Sequence, residues 1–127
     1  MIGICLGLAG VIWAQIPEGP FTLAWQHTVQ KVRWEEDYRI QGRRLLLETA
    51  RVQGTGAGME IPDGAYFARG HWQYHPRLSL GVLRLARTPE AGDYQLCLAS
   101  VCTSMTDWVG PPSQEAPAIE LWVCNLG

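Results

Sequence analysis

"FTLAWQHTVQKVRWEEDYRI", residues 21–40, is the stretch that decides the fold, because two alternating patterns follow each other in it. In its first half, apolar side chains and His27 fall on one face, and polar residues or alanine fall on the other. In its second half, Trp34, Glu36 and Tyr38 share a face opposite charged side chains. Alternation with a period of two is typical of half-buried β-strands. The stretch therefore predicts a β-hairpin.

The two apolar faces come into register when the hairpin is centred on residues 31–32. This register places His27 opposite Glu36, with Trp25 and Trp34 on either side. A slip by one residue would set apolar side chains opposite polar ones, so burial constrains the register. The other predicted cross-strand pairs are Val29–Trp34, Trp25–Tyr38 and Leu23–Ile40.

The predicted His27–Glu36 pair lies on an otherwise apolar face, where a charge needs a partner. If the two groups touch, each favours the charged form of the other. One interpretation is a core pair that fixes the register of the strands. Another is a ligand-binding or metal site at the sheet surface, flanked by Thr28 and Tyr38. A third, general acid–base catalysis, lacks a nucleophile, an oxyanion hole and a cofactor motif, so we expect no enzyme and no cofactor.

The composition fits a single folded domain. The chain has 127 residues, of which 47% are hydrophobic and 17% charged, which excludes a disordered protein. The formal net charge is −2, and no basic face large enough for nucleic acid is evident. Many short strands with frequent turn signals predict an all-β fold, an antiparallel sandwich or a partly open barrel. We expect residues 17–127 to form this domain, with a coil linker near residues 110–117.

Further strands are predicted on the C-terminal side of the hairpin. They cover "RRLLLETARV" (43–52), "LSLGVLRLART" (78–88) and "AIELWVC" (118–124). Residues 69–70, Arg-Gly, are predicted to form a tight turn that sets Phe67 opposite Trp72.

"GTGAGM", residues 54–59, resembles a phosphate-binding loop only at first sight. A dinucleotide fingerprint needs G-x-G-x-x-G at the start of a helix, whereas the spacing here is G-x-G-x-G and Pro62 soon follows. We interpret Gly56 and Gly58 as positions of positive φ or close backbone approach that bend the chain. The open question is whether this bend, with Met59, shapes a pocket at the predicted polar pair.

Residues 2–14, "IGICLGLAGVIWA", are apolar without interruption. The run is too short for a membrane-spanning helix, which needs about 20 residues, and it matches the hydrophobic region of a secretory signal. We expect residues 1–16 to be a signal peptide or short membrane anchor, although the first basic residue is Lys31. The alternative is a buried first strand of a cytosolic protein.

Two of the four cysteines, Cys97 and Cys102, are predicted to face each other across a hairpin with a turn at residues 99–100. A non-hydrogen-bonded pair in an antiparallel ladder brings Cα atoms within disulfide range. Free thiols and a metal site remain alternatives, although no further metal ligands lie nearby. Cys124 is left over if Cys5 is removed, either free or competing for one of the other two thiols.

Several spaced motifs resemble those of a bacterial family called domain of unknown function 1850. The resemblance covers about residues 20–100 and includes the hairpin of the paired cysteines. It departs from the family at Thr28, where serine is usual, and at residues 60–61, which delay a proline. The motifs that carry it are His27-Thr28-Val29, then Trp34, Glu36 and Tyr38, and then "GTGAGM".

The resemblance implies a small protein that is periplasmic or anchored to the inner membrane facing the periplasm. Genes of the family often lie beside TRAP transporters of the TAXI type, which import organic acids with a periplasmic binding protein. On this basis we expect a non-enzymatic accessory factor of such an uptake system, with the permease or the binding protein as partner. The alternative is a small periplasmic domain that binds a ligand or metal through His27 and Glu36.

Overall fold

The chain folds as two antiparallel β-sheets with no closed barrel, which confirms the predicted all-β sandwich. This computed structural model describes residues 1–17, 19–26, 32–53, 63–90 and 92–126.

The described residues form twelve strands and one short helix. In chain order these are β1 (Ile2–Leu8), β2 (Val11–Pro17), β3 (Phe21–Gln26), β4 (Arg33–Gln41), β5 (Arg44–Gln53), β6 (Tyr66–Ala68), β7 (His71–Tyr74), β8 (Leu78–Leu80), β9 (Leu83–Ala86), β10 (Gln95–Leu98), β11 (Val101–Ser104), α1 (Met105–Val109) and β12 (Ala118–Asn125). The smaller sheet has the order β2-β1-β12-β9. The larger has the order β11-β10-β3-β4-β5-β7-β6, and β8 pairs with the first half of β5.

Both sheets contribute side chains to one hydrophobic core. Each large apolar side chain that is fully buried stabilises the fold by about 1.5–3 kcal/mol relative to leaving it exposed. The smaller sheet supplies Ile4, Leu6, Ile16, Leu83, Leu85, Ile119, Leu121 and Val123; the larger supplies Phe21, Leu23, Tyr38, Leu45, Leu47 and Leu96, and α1 adds Met105.

The β3–β4 hairpin forms, but its register differs from the predicted one by four residues. Glu36 lies opposite Leu23, and Trp34 lies opposite Trp25. The prediction that Glu36 lies opposite His27 is therefore wrong. Because four is an even number, each described side chain of the two strands keeps its predicted face, and the hydrophobic pattern alone cannot distinguish the two registers.

Aromatic pairing explains the observed register. The rings of Trp25 and Trp34 stack with centroids 6.1 Å apart, and those of Phe21 and Tyr38 stack at 5.2 Å. The predicted register would have set Phe21 opposite Gly42, which lies in a turn. Cross-strand aromatic pairs contribute about 0.5–1.5 kcal/mol beyond their burial, so the register that forms two of them is favoured.

The N-terminal segment is part of the sandwich. Ile4, Leu6 and Ile16 are completely buried in the core, and Cys5 is joined by a disulfide to Cys124. Cys124 is thus not left over in this structure. Removal of residues 1–16 as a signal peptide would take away β1 and all of β2 except Pro17. Whether the segment is cleaved stays a prediction; no helix in the described ranges is long and apolar enough to cross a bilayer.

The prediction of one strand over residues 78–88 is wrong. The chain breaks at Gly81 and crosses between the layers, so that β8 pairs with β5 in the larger sheet and β9 with β12 in the smaller. Leu80 packs against the core from one side, and Leu83 enters it from the other. A single apolar stretch therefore serves both sheets.

Two tight hairpins match their predictions. Cys97 pairs with Cys102 and forms the predicted disulfide, with Cα atoms 4.0 Å apart. The two turn residues, 99–100, both have positive φ, at 50° and 70°, as a two-residue turn between twisted strands requires. Phe67 pairs with Trp72 across the other turn, also as predicted.

Candidate functional site

A half-buried carboxylate stands out on the core-facing side of the larger sheet. Glu36 lies on β4 between Leu23 of β3 and Ala50 of β5, and both of these neighbours are completely buried. The buried Tyr38, two residues along the same strand, donates a hydrogen bond from its hydroxyl to Oε1 of Glu36 at 2.9 Å. The alternation of β4 thus places a charged group at the margin of an apolar layer.

Aromatic side chains surround this carboxylate. Tyr74 of β7 pairs with Ala50, which in turn pairs with Glu36, so the three lie in one row across the sheet. In the next row, the stacked Trp25 and Trp34 meet Tyr94, whose ring centroid is 5.8 Å from that of Trp25. We call this set the Glu36 cluster; its members are Glu36, Trp25, Trp34, Tyr38, Tyr74 and Tyr94.

Among the described residues, no cation compensates the negative charge of the cluster. Burial raises the pKa of Glu36, and the hydrogen bond from Tyr38 only partly opposes this. The pKa values of Tyr74 and Tyr94 are also raised, first by burial and then by the charge of Glu36. No residue in the described part of the chain forms an ion pair with Glu36. The described titratable groups that interact with it, Tyr38, Tyr74 and Tyr94, are uncharged at neutral pH because their pKa values are raised.

The structure brings only some of the sequence-predicted site residues together. It places Trp25, Trp34 and Tyr38 at Glu36. The sequence did not single out Tyr74 and Tyr94, because nothing local shows that β7 and the start of β10 lie near β4. Five predicted residues lie outside the described ranges, so their place at the site stays a prediction: His27, Thr28, Gly56, Gly58 and Met59.

The opposite face of the larger sheet carries a polar network in which each charge has a partner. Arg51 donates two hydrogen bonds to Asp37, both at 2.6 Å, and one to Glu35 at 3.0 Å. Burial would raise the pKa of Asp37, but hydrogen bonds from Arg51 and Thr22 hold it below its ordinary value. An open groove of about 460 Å³ runs over this network beside the Cys97–Cys102 disulfide. The network cross-links β3, β4 and β5, and we assign it a structural role.

Replacing Glu36→Gln is expected to raise the free energy of unfolding by about 0.5–1 kcal/mol at about pH 7. The amide keeps an acceptor for Tyr38 and removes the partly desolvated charge. Because the pKa of Glu36 is raised by folding, the penalty of its ionisation is fully present above the folded pKa. It disappears as the pH falls below the unfolded value of about 4.3. The gain should therefore vanish near pH 3.5, as urea unfolding at the two pH values will show.

The matched control for this substitution is Glu90→Gln, because Glu90 is an exposed carboxylate. We expect its effect to stay within about 0.5 kcal/mol at both pH values. A Glu36→Gln variant that is less stable than the parent protein at neutral pH would contradict the expectation that the ionised carboxylate destabilises the fold.

The similarity of this chain to known proteins lies in the part that forms the larger sheet. The family model described as "Domain of unknown function (DUF1850)" matches residues 21–105, and the predicted resemblance is thereby confirmed. The matched range contains β3 to β11, and so all strands of the larger sheet and the whole Glu36 cluster. Curated proteins and solved structures gave no significant match. In the described ranges, no group of three or more His, Cys, Asp or Glu is placed to hold a metal ion.

Proposed function

Since this chain belongs to the DUF1850 family through a match that spans its larger sheet, we propose that it is a non-enzymatic binding domain whose site is the Glu36 cluster. One observation carries the proposal: a half-buried carboxylate among aromatic side chains meets no cation in the described part of the chain. An unpaired charge of this kind costs stability. Titratable groups with perturbed pKa values are concentrated at functional sites, where the loss of stability is accepted because the group serves in binding or catalysis.

The compartment we propose is the periplasm, or the periplasmic face of the inner membrane. Support comes from the two disulfides, Cys5–Cys124 and Cys97–Cys102, which leave no cysteine free. Disulfides persist in oxidising compartments and are rare in the reducing cytosol.

We place this binding domain in a TRAP-type uptake system of the TAXI class, as an accessory factor that contacts the permease or its periplasmic binding protein. The support is the family match together with the gene neighbourhood typical of the family. Within this proposal, the Glu36 cluster contacts either a small ligand or the partner protein.

Deletion and complementation test the proposal in a cell that carries the transporter genes. We expect deletion to lower uptake of the transporter's solute, and the tagged protein to co-purify with the permease or the binding protein. Glu36→Gln should fail to restore uptake although the variant is folded, whereas Glu90→Gln should restore it. If the tagged protein associates with neither partner and deletion leaves uptake unchanged, the accessory role is wrong. If Glu36→Gln restores uptake fully, the Glu36 cluster is not the site.

A further inference from the structure

The charge of the Glu36 cluster determines which sign of charge its ligand can carry. Glu36 carries a carboxylate, and the titratable groups that face it from the described elements are three tyrosines: Tyr38 on β4, Tyr74 on β7 and Tyr94 before β10. All three have raised pKa values, so they are uncharged at neutral pH. With Glu36 ionised, the described part of the cluster is therefore negative, and it would repel an anion.

The aromatic rings favour a cation for an independent reason. The face of an aromatic ring carries partial negative charge and attracts ammonium groups, most strongly in tryptophan and when the site is partly desolvated. Trp25 and Trp34 lie nearly parallel, at 12°, whereas Tyr94 is inclined at 59° to Trp25. The rings thus present faces in two directions within one half-buried cluster.

In the described residues, the polar network on the other face of the sheet has neither a carboxylate without a cation nor a set of aromatic rings around it. There the carboxylates of Glu35 and Asp37 are hydrogen-bonded to Arg51, which holds their pKa values down against the effect of burial. A cation that bound there would have to displace a guanidinium. Glu36 presents no such competitor in the described part of the chain.

From this geometry we propose that the Glu36 cluster binds a primary ammonium group, with Glu36 as its counter-ion and Trp25 and Trp34 as cation–π partners. The inference rests on the proposed binding function and adds the chemical class of the ligand. A free organic amine and a lysine side chain of a partner protein both carry this group.

Three probes of equal size and different charge test the proposal: n-propylammonium, propionate and 1-propanol. Binding is followed by NMR of the tryptophan indole N–H groups and by tryptophan fluorescence. We expect n-propylammonium to give saturable shifts at Trp25 and Trp34, and the other two to bind about tenfold more weakly or less. Glu36→Gln should weaken n-propylammonium binding about tenfold or more, and Glu90→Gln should leave it unchanged.

The pH dependence adds a second readout. Affinity for n-propylammonium should rise with pH as Glu36 ionises, whereas a site for a carboxylic acid would gain affinity as the pH falls. Nα-acetyl-lysine amide, titrated in parallel, distinguishes the two sources of the ammonium group: tighter binding than n-propylammonium indicates a lysine side chain, and weaker binding indicates a free amine.

Two outcomes overturn the inference, and they affect the proposed function differently. If propionate binds at the tryptophans more tightly than n-propylammonium, the ammonium class is wrong while the Glu36 cluster remains a binding site. If n-propylammonium binds the parent protein and Glu36→Gln equally, Glu36 is not the counter-ion. The proposed function itself is rejected by the deletion, co-purification and complementation results described above, and not by these binding measurements.

Discussion

Loss of the Cys5–Cys124 disulfide, in a Cys5→Ala/Cys124→Ala variant, is expected to lower the free energy of unfolding by about 4–5 kcal/mol. The bond closes a loop with a sequence separation of 119, whereas that of Cys97–Cys102 is only 5. A cross-link restricts the unfolded chain more when the loop is long, so the Cys97→Ala/Cys102→Ala variant should lose only about 2 kcal/mol. Urea unfolding of both variants measures the difference.

The test is which of the two variants loses more free energy of unfolding. Both double alanine variants also lose the packing of two sulfur atoms, so that contribution is common to them. Reductant should destabilise the parent protein and leave a variant lacking all four cysteines unchanged. An equal loss for the two disulfides, or a greater loss for the hairpin, would contradict the expectation. The bond also requires residues 1–16 to stay on the chain, so the intact mass of protein recovered from cells shows directly whether that segment is kept.

The second large effect is expected at Arg87, the one charged side chain that is buried within the described ranges, at 4% exposure. Its Nη2 donates to Asp93 Oδ1 at 3.2 Å and to the carbonyl of Gly110 at 3.0 Å. Asp93 in turn accepts hydrogen bonds from the backbone N–H and the hydroxyl of Thr106. Arg87→Met is expected to cost about 3 kcal/mol, because it leaves the partly buried Asp93 without its cation. Thermal or urea unfolding will measure this loss.

The same substitution should change the response to acid. Burial would raise the pKa of Asp93, but hydrogen bonds from Thr106 and the nearby Arg87 hold it below its ordinary value. This stabilisation is present above the unfolded pKa and is lost as the pH falls through the folded pKa. Between neutral and acid pH, the free energy of unfolding of Arg87→Met should therefore fall less than that of the parent protein.

Arg84→Met is the matched control for Arg87→Met. Arg84 lies three residues earlier and forms an ion pair with Glu120 at 3.2 Å, but its side chain is 61% exposed. An exposed pair of this kind contributes at most about 1 kcal/mol. If the two variants lost equal stability, burial of Arg87 would not be the cause of its effect.

Short-range features of this fold follow from the sequence because they depend on neighbouring residues. The hairpin of Cys97 and Cys102 needs only a two-residue turn, and its pairing was predicted correctly. Alternation also assigned the correct faces to Trp34 and Glu36. It could not select between registers four residues apart, because both satisfy the same pattern of burial.

The long-range features of this fold could not be predicted from the sequence, for a physical reason. Pairing between β1 and β12 depends on the whole chain, and neither strand signals its partner, so the Cys5–Cys124 bond was not predicted. The same holds at the site. Tyr74 lies in one row with Glu36 only because β5 pairs with both β7 and β4, and strand order is a property of the packed sheets.

The position of β1 has a consequence for the order of folding. β1 lies between β2 and β12 in the smaller sheet, so a strand synthesised early must wait for one synthesised much later. Contacts this distant in sequence form slowly, and until β12 arrives one edge of β1 keeps its backbone groups unpaired. The smaller sheet can therefore close only after β12 has been synthesised.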